Sequence, residues 1–313
     1  MNEHLLGLEY CSKEEIESML KAGFSFKEVL SRPIPKVPTL RGKTVVNLFF
    51  ENSTRTRISF ELAQKRLSAD TVNFSASGSS VSKGESLRDT IRNIEAMKID
   101  MVVVRHQSPG VPYFLTQCTD SIIINAGDGL HEHPTQGLLD IMTLQEKLGT
   151  VKDLKVVIVG DILHSRVARS NIYGLQKLGA KVALCGPPTL IPVQAEQWGV
   201  EIFYNIEDAI RWGEVLNVLR LQLERQHSGL FPTRREYAHR FGVTLEKLRQ
   251  VDKEITIMHP GPINRGLELE HDLADSEFSV ILDQVTNGVA LRMAVLYLKS
   301  GVSTTEQAIS QKK

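Results

Sequence analysis

The chain has 313 residues, of which 42% are hydrophobic and 24% charged, enough apolar material for two buried cores. Its 37 basic and 37 acidic residues cancel and form no long run of one sign, which argues against nucleic acid or an anionic membrane as a partner. The N-terminus lacks the features of a secretory signal, no apolar run is long enough to span a bilayer, and three scattered cysteines without metal-ligand spacing favour a reducing, cytoplasmic setting.

The first part of the chain predicts strands that alternate with helices. Short apolar runs rich in β-forming residues predict strands at 44–51, 71–74, 101–104 and 121–124. The apolar spacing predicts helices near 13–21, from about residue 54 (with Ile58, Leu62 and Leu67 on one side), over 85–98 and over 135–148. This alternation is typical of a parallel sheet with helices on its faces.

A charged connector at 149–153 precedes a second part with the same alternation. Its predicted strands lie at 155–160, 181–186, 200–203, 215–220 and 255–260. We therefore predict an α/β protein of two domains, 1–149 and 150–284, each a parallel sheet flanked by helices. A last helix, at about 285–305, has apolar residues on one side and is expected to pack back on the first domain.

The segment Ser53-Thr54-Arg55-Thr56-Arg57 follows the first strand and opens a helix. In open parallel sheets, ligands bind at the carboxyl ends of the strands, so polar residues in such places are candidates for chemistry. The N–H groups and positive dipole end of a helix N-terminus suit a phosphate, and an arginine adds a charged fork. A bare S-T-R pattern more often caps a helix beside solvated arginines, but the whole ENSTRTRISFE string after a strand favours phosphate binding.

The segment His133-Pro134-Thr135-Gln136 follows the strand at 121–124 and a glycine-rich turn. Pro134 suits the first turn of the next helix. His133 can polarise a carbonyl oxygen there, and a capping or core histidine is the competing interpretation. The triplet His131-Glu132-His133 departs from the H-E-x-x-H pattern and no cysteine lies near it in sequence, so we expect no metal.

Other candidates are weaker when taken alone. Arg105 ends the strand at 101–104 and is either an anion contact or a solvated strand end. The segment 79–85 is small, polar and flanked by glycine, which predicts a mobile loop. Its Lys83 could bring a cation to an anion site, although a solvated loop lysine is the commoner outcome.

The second domain also places polar residues after its strands. These are Arg166, Arg220, Gln222 and the segment His259-Pro260-Gly261-Pro262, which could converge on one crevice. The GDILHS turn at 160–165 lacks the second and third glycines of a dinucleotide fingerprint, and no acidic residue ends the next strand. A dinucleotide site is therefore weakly supported, and we expect no cofactor.

In combination, these motifs resemble the aspartate and ornithine carbamoyltransferase family. The S-T-R-T-R and H-P-T-Q segments resemble its two signatures, in the same order and with Arg105 between them. The resemblance covers essentially the whole chain. The aspartate branch is more similar, because Lys83 in S-x-x-x-K-G-E and the segment LRLQLER at 219–225 match it, and the H-C-L-P and S-M-G motifs of the ornithine branch are missing. Gly261 departs from the leucine of the enteric-type H-P-L-P motif.

The resemblance implies roles for these residues. Carbamoyl phosphate would be held by Ser53, Thr54, Arg55, Thr56, Arg105, His133 and Gln136, with Arg55, Thr56, Arg105 and His133 acting in catalysis. Aspartate would be bound by Lys83, Arg166, Arg220 and Gln222, near a loop containing Gly261 and Pro262. The resemblance also implies a homotrimer with shared active sites, in which Ser79 and Lys83 come from the adjacent subunit.

The implied reaction joins carbamoyl phosphate to L-aspartate, giving N-carbamoyl-L-aspartate and phosphate in pyrimidine biosynthesis. Both substrates are anionic, and arginine forks suit phosphate and carboxylate alike. Ornithine carbamoyltransferase, a non-enzymatic phosphometabolite-binding subunit and, more remotely, a nucleotide-dependent reductase are the competing interpretations. The sequence leaves open whether regulatory chains or a dihydroorotase bind the trimer.

Overall fold

The computed structural model describes residues 3–75, 84–222, 233–251 and 253–301. Two of the residues singled out above, Ser79 and Lys83, lie outside this part of the chain. The chain divides into two compact units. The first combines Met1–Met142 with Thr286–Lys313, and the second is Thr143–Val285.

The first unit contains a four-stranded sheet. Its strands are β1 (Thr44–Phe49), β2 (Asp70–Ser75), β3 (Met101–His106) and β4 (Ile122–Asp128), in the order β2-β1-β3-β4. Every neighbouring pair is parallel. Strands β1 and β3, in the middle of the sheet, are mostly apolar runs, as expected where helices cover a parallel sheet on both faces, whereas the edge strand β2 is more polar and more exposed. The predicted α/β class is confirmed.

Five helices flank or follow these strands. They are α1 (Lys13–Leu30), α2 (Thr54–Arg66), α3 (Leu87–Glu95), α4 (Val111–Thr116) and α5 (Pro134–Leu148). A capping box between Ser12 and Glu15 begins α1. The prediction ended this helix near residue 21, which is wrong by more than two turns. The helix continues through Gly23, although glycine has a low helix propensity. Close packing against Met142 accounts for the glycine, because an added Cβ would lie only 3.0 Å from Met142 Sδ.

The buried face of α2 also differs from the prediction. Ile58 and Leu62 are exposed, whereas Phe60, Ala63 and Gln64 are buried. The polar Gln64 is buried because its amide exchanges two hydrogen bonds with Asn47 of β1, at 2.7 and 3.0 Å. Of the three residues expected on one side, only Leu67, just beyond the helix, is buried.

The second unit contains a five-stranded parallel sheet in the order β7-β6-β5-β8-β9. The strands are β5 (Lys155–Val159), β6 (Lys181–Cys185), β7 (Glu201–Phe203), β8 (Val215–Val218) and β9 (Thr256–Met258). The helices among them are α6 (Arg166–Lys177), α7 (Ile206–Trp212), α8 (Arg234–Phe241) and α9 (Leu245–Leu248). Apolar residues of β5, β6, β8 and β9 form one core with those of α7 and α8.

The last described helix, α10 (Ile281–Lys299), begins four residues before the predicted start. From Thr286 onward it belongs to the first unit, where Tyr297 packs edge-on against Phe26 of α1 at 5.6 Å between ring centroids. Both α5 and α10 therefore run from one unit into the other along the chain. Among the residues that the structure describes, none of the helices has the length and apolar character that a bilayer crossing requires.

Candidate active site

Arg105 is fixed at the carboxyl edge of the first sheet. It is the second-last residue of β3 and lies directly beside Phe49, the last residue of β1. Its guanidinium donates to Glu51 Oε1 at 3.1 Å and to the backbone carbonyl of Ala126 in β4, also at 3.1 Å. Only 11% of its side chain is exposed. Contacts from β4 and from the segment that follows β1 thus hold one cation at the sheet edge where ligands are expected.

The N-terminus of α2 follows β1 at the same edge. Ser53 is the N-cap residue, yet its side chain makes no capping hydrogen bond, and the first turn contains no acidic residue. Thr54 and Arg55 are exposed, and Thr56 is buried. The helix thus begins with hydroxyl groups, an arginine and no competing carboxylate in its first turn, an arrangement suited to an anion.

The N-terminus of α5 follows β4 in the same unit. His133 is buried immediately before Pro134, and its carbonyl accepts the N–H of Gln136 at 2.9 Å. The side chain of Gln136 donates through Nε2 to Asp140 Oδ1, one turn later, at 2.9 Å. This bond fixes which end of the Gln136 amide faces the helix.

In the second unit, the turn after β5 is linked to the segment after β8. Asp161 Oδ1 accepts the backbone N–H of His164 at 3.2 Å and lies 2.8 Å from its ring Nδ1. The His164 carbonyl in turn accepts Nε2 of Gln222 at 3.0 Å. Arg166, the first residue of α6, is buried beside this turn. The structure therefore links the turn before Arg166 to the segment that contains Gln222, with Arg220 two residues away in the chain.

The segment after β9 is linked to the same region. His259 Nδ1 accepts the N–H of Gly261 at 2.8 Å, so the ring proton of the neutral imidazole lies on Nε2, 3.3 Å from Glu268 Oε1. The same carboxylate oxygen accepts the N–H of Asn264 at 2.6 Å, and the Asn264 side chain donates to the Leu221 carbonyl at 3.2 Å. Gly261 has φ of 66°, a left-handed conformation in which glycine avoids strain, and its bond to Pro262 is cis.

A group of three side chains in the first unit has atoms close enough for a metal ion: Glu9, His131 and Glu132. Glu132, however, accepts the backbone N–H groups of Leu8 at 2.7 Å and Glu9 at 3.1 Å. His131 lies 3.1 Å from Asp128 Oδ1. The buried Glu132 carboxylate thus holds the N-terminal segment, and His131 contacts a neighbouring carboxylate. The expectation of no metal stays a prediction.

Sequence reasoning missed the carboxylates that position the candidate residues. Glu51 holds Arg105 across 54 residues of chain, and Glu268 holds the loop that contains Gly261 and Pro262. Asp140 was detectable in principle, because it lies four residues after Gln136 on one face of a predicted helix. The structure links Arg105 to the ends of β1 and β4, and it links Gln222 to the turn before Arg166. Ser79 and Lys83 lie outside the described residues.

Two family profiles together match nearly the whole chain. Residues 3–146 match the aspartate/ornithine carbamoyltransferase carbamoyl-P binding domain, and residues 152–299 match the Asp/Orn binding domain of the same family. The aspartate carbamoyltransferase catalytic subunit of Cytophaga hutchinsonii is 60% identical over 299 residues, which cover 96% of this chain and 97% of that relative. The subunit of the same name from Heliobacterium modesticaldum is 54% identical, with coverage of 96% and 97%.

Solved structures show the same fold at lower identity. Aspartate transcarbamoylase from Trypanosoma cruzi, in complex with carbamoyl phosphate and aspartate, has a TM-score of 0.84 and 27% identity, covering 94% of this chain and 95% of that one. Ornithine carbamoyltransferase from Pyrococcus furiosus has a TM-score of 0.84 and 28% identity, with coverage of 96% and 98%. The fold alone therefore does not separate the two substrate branches.

Proposed function

The chain belongs to the aspartate/ornithine carbamoyltransferase family, and we propose that it transfers the carbamoyl group of carbamoyl phosphate to the amine of L-aspartate. The products are N-carbamoyl-L-aspartate and phosphate, and the reaction serves pyrimidine biosynthesis. The relatives named above at 54% and 60% identity are both aspartate carbamoyltransferase catalytic subunits, which supports aspartate over ornithine.

The observation that carries this proposal is the fixed position of Arg105. Its guanidinium is held by Glu51 and by the Ala126 carbonyl, at the edge of the sheet where α2 begins. A cation that is already oriented loses little freedom when an anionic substrate binds, and it costs no reorganisation during the reaction. Ser53, Thr54, Arg55 and Thr56 would surround the phosphate, and Arg105, His133 and Gln136 would contact the carbamoyl group.

The proposed mechanism is direct attack by the deprotonated aspartate amine on the carbamoyl carbon. Negative charge then develops on the carbonyl oxygen, and Thr56, Arg105 and His133 are the proposed groups that stabilise it. The C–O bond to phosphate breaks, and the departing phosphate accepts the amine proton. Orientation and electrostatics supply most of the acceleration, and no covalent enzyme intermediate is needed.

Arg166, Arg220 and Gln222 are the proposed aspartate contacts. Two arginines match the two carboxylates of this substrate. The bond from Gln222 to the His164 carbonyl supports the idea that the segments carrying Gln222 and Arg166 act together. The loop containing Gly261 and Pro262 would approach the substrate amine through its backbone.

A product assay tests the proposal against its main competitor. Carbamoyl phosphate is supplied with either L-aspartate or L-ornithine, and carbamoylated product is quantified. We expect rapid formation of N-carbamoyl-L-aspartate and little citrulline. Faster turnover of ornithine would reassign the chain to the other branch, and binding without either product would favour a non-enzymatic subunit.

We further propose a homotrimer in which Ser79 and Lys83 complete the site of a neighbouring subunit. Exposed apolar residues on α2 and on the edge strand β2, namely Ile58, Leu62 and Val72, support a partner surface on the first unit. A cytoplasmic location is part of the proposal, supported by the lack of any disulfide among Cys11, Cys118 and Cys185.

A further inference from the structure

The bond between Gln136 and Asp140 determines how the glutamine amide is presented. A carboxylate only accepts hydrogen bonds, so it selects the NH2 end of the amide, and Nε2 donates to Asp140 Oδ1 at 2.9 Å. The opposite end of the amide, the acceptor Oε1, must then point away from Asp140. Without this carboxylate the two ends could exchange by rotation about the last side-chain bond.

Asp140 interacts with a buried cation. It is fully buried in α5, and it interacts electrostatically with Arg292 of α10. Burial lowers the pKa of that arginine to about 10, and the Asp140 charge acts in the opposite direction. Arg292 is anchored by a 2.9 Å bond to Ser59 Oγ and lies over the Phe60 ring at 5.1 Å.

The ligand chemistry makes the amide orientation important. The carbamoyl group ends in an NH2, which donates hydrogen bonds and accepts none of comparable strength, so a glutamine contact requires Oε1 rather than Nε2. We propose that Asp140 is a positioning residue that turns the Gln136 carbonyl toward the carbamoyl NH2 and so makes the site discriminate carbamoyl phosphate from other acyl phosphates. This inference rests on the proposed function, since it assumes that carbamoyl phosphate binds beside Gln136.

Acetyl phosphate provides the matched probe, because a methyl group replaces the NH2 while the phosphate and carbonyl are kept. The dissociation constants of both ligands are measured by calorimetry, and the readout is their ratio, acetyl phosphate over carbamoyl phosphate. For the wild type we expect a ratio of about two- to tenfold, the value of one net hydrogen bond. In Asp140→Asn the side chain can donate as well as accept, so both orientations of the Gln136 amide become available and the ratio should fall below that of the wild type.

The ratio separates positioning from general damage. Loss of packing weakens the binding of both ligands to the same extent and leaves the ratio of their dissociation constants unchanged. Asp128→Asn is the control, because Asp128 is also a buried carboxylate of the first unit, which accepts the Gly110 N–H at 2.8 Å. We expect that control to lose stability but to keep the wild-type ratio. If Asp140→Asn does not fold, Asp140→Ser has a smaller group that both donates and accepts, and it makes the same prediction.

A charge-conserving swap provides the rescue. In the double variant Gln136→Glu with Asp140→Asn, both oxygens of the introduced carboxylate accept, so one can face the introduced amide and the other the carbamoyl NH2. The displaced charge should weaken the binding of both acyl phosphates, but the ratio of their dissociation constants should return to the wild-type value. An unchanged ratio in Asp140→Asn, or a wild-type ratio near one, overturns the positioning role. The proposed function stands in that case if the enzyme still carbamoylates aspartate. A wild type that binds neither ligand overturns the proposed function and this inference with it.

Discussion

Arg55 stands in the first turn of α2 with an exposed side chain, so its proposed partner is a ligand rather than the core. We expect Arg55→Ala to weaken carbamoyl phosphate binding by about 1.5–3 kcal/mol, the value of a hydrogen bond to a charged group, with no loss of folding stability. Calorimetric titration measures the affinity. Arg57→Ala, two residues later and also exposed, is the control. An unchanged affinity in Arg55→Ala would remove this residue from the phosphate site.

Arg220 is the matching test in the second unit. Arg220→Ala should raise the KM for aspartate steeply, because a charged hydrogen-bonding partner is lost. The expected loss of binding free energy is about 2–5 kcal/mol. Carbamoyl phosphate affinity should change little. Arg211→Ala removes an exposed arginine of α7 that pairs with Asp208, and it should leave both constants unchanged. Equal losses for both substrates would argue against a carboxylate contact at Arg220.

Two histidines of the first unit, His131 and His106, should contribute to folding stability with opposite dependences on pH. The Asp128 carboxylate raises the pKa of His131 from 6.5, so its stabilising contribution is present below about pH 6.5 and is lost as pH rises through the folded-state pKa. Burial lowers the pKa of His106, so there the folded state loses stability as pH falls below about 6.5. Denaturant unfolding measures the free energy of unfolding of His131→Gln and His106→Gln at about pH 5.5 and about pH 8. Relative to wild type, the loss of stability should be larger at the lower pH for His131→Gln and smaller at the lower pH for His106→Gln. The same direction for both would contradict the assigned contacts.

At this scale the sequence predicted the candidate ligand contacts but not the groups that orient them. Arg105 was recognisable because a basic residue ended a predicted strand. Its partner Glu51 was not, because the pairing depends on β1 and β3 being neighbours in the sheet. Glu268 likewise reaches His259 through a loop whose path no local pattern specifies.

Among the elements, α2 and β1 are joined by a buried amide pair, Asn47 with Gln64. Asn47→Leu should cost about 1–3 kcal/mol of unfolding free energy, because the Gln64 amide would stay buried without its partner. The double variant Asn47→Leu with Gln64→Leu should recover part of that loss, because neither amide of the pair is then left unsatisfied. Urea unfolding of both single variants and the double variant measures the coupling. Simple additivity of the two losses would show that the pair is not coupled.

This pair also explains why element prediction succeeded for strands and failed for a helix face. Parallel strands covered by helices are apolar almost throughout, so their runs were visible in the sequence. In α2 the apolar spacing pointed to Ile58 and Leu62, which are exposed, because a polar residue with an internal partner occupies the buried side. Periodicity alone cannot recognise a buried glutamine whose partner lies on another element.

For the whole molecule, the shared-site proposal predicts complementation between inactive variants. Lys83→Ala and His133→Ala should each be nearly inactive as pure trimers. Around a mixed ring one interface has both lesions and another has neither, so random reassembly should recover about a quarter of wild-type activity. Mass measurement confirms subunit exchange. If exchange occurs and no activity returns, Lys83 acts within its own subunit.

The path of the chain through the two units has a consequence for synthesis on the ribosome. Residues 143–285 emerge as one continuous stretch, whereas the first unit must wait for the part of α10 that begins at Thr286. Translation at about 5–20 residues per second puts a delay on the order of 10 s or more between Met142 and the end of α10. During that time the surfaces that Leu291 and Tyr297 later cover are open to chaperones. The unit that is translated first is therefore expected to mature last.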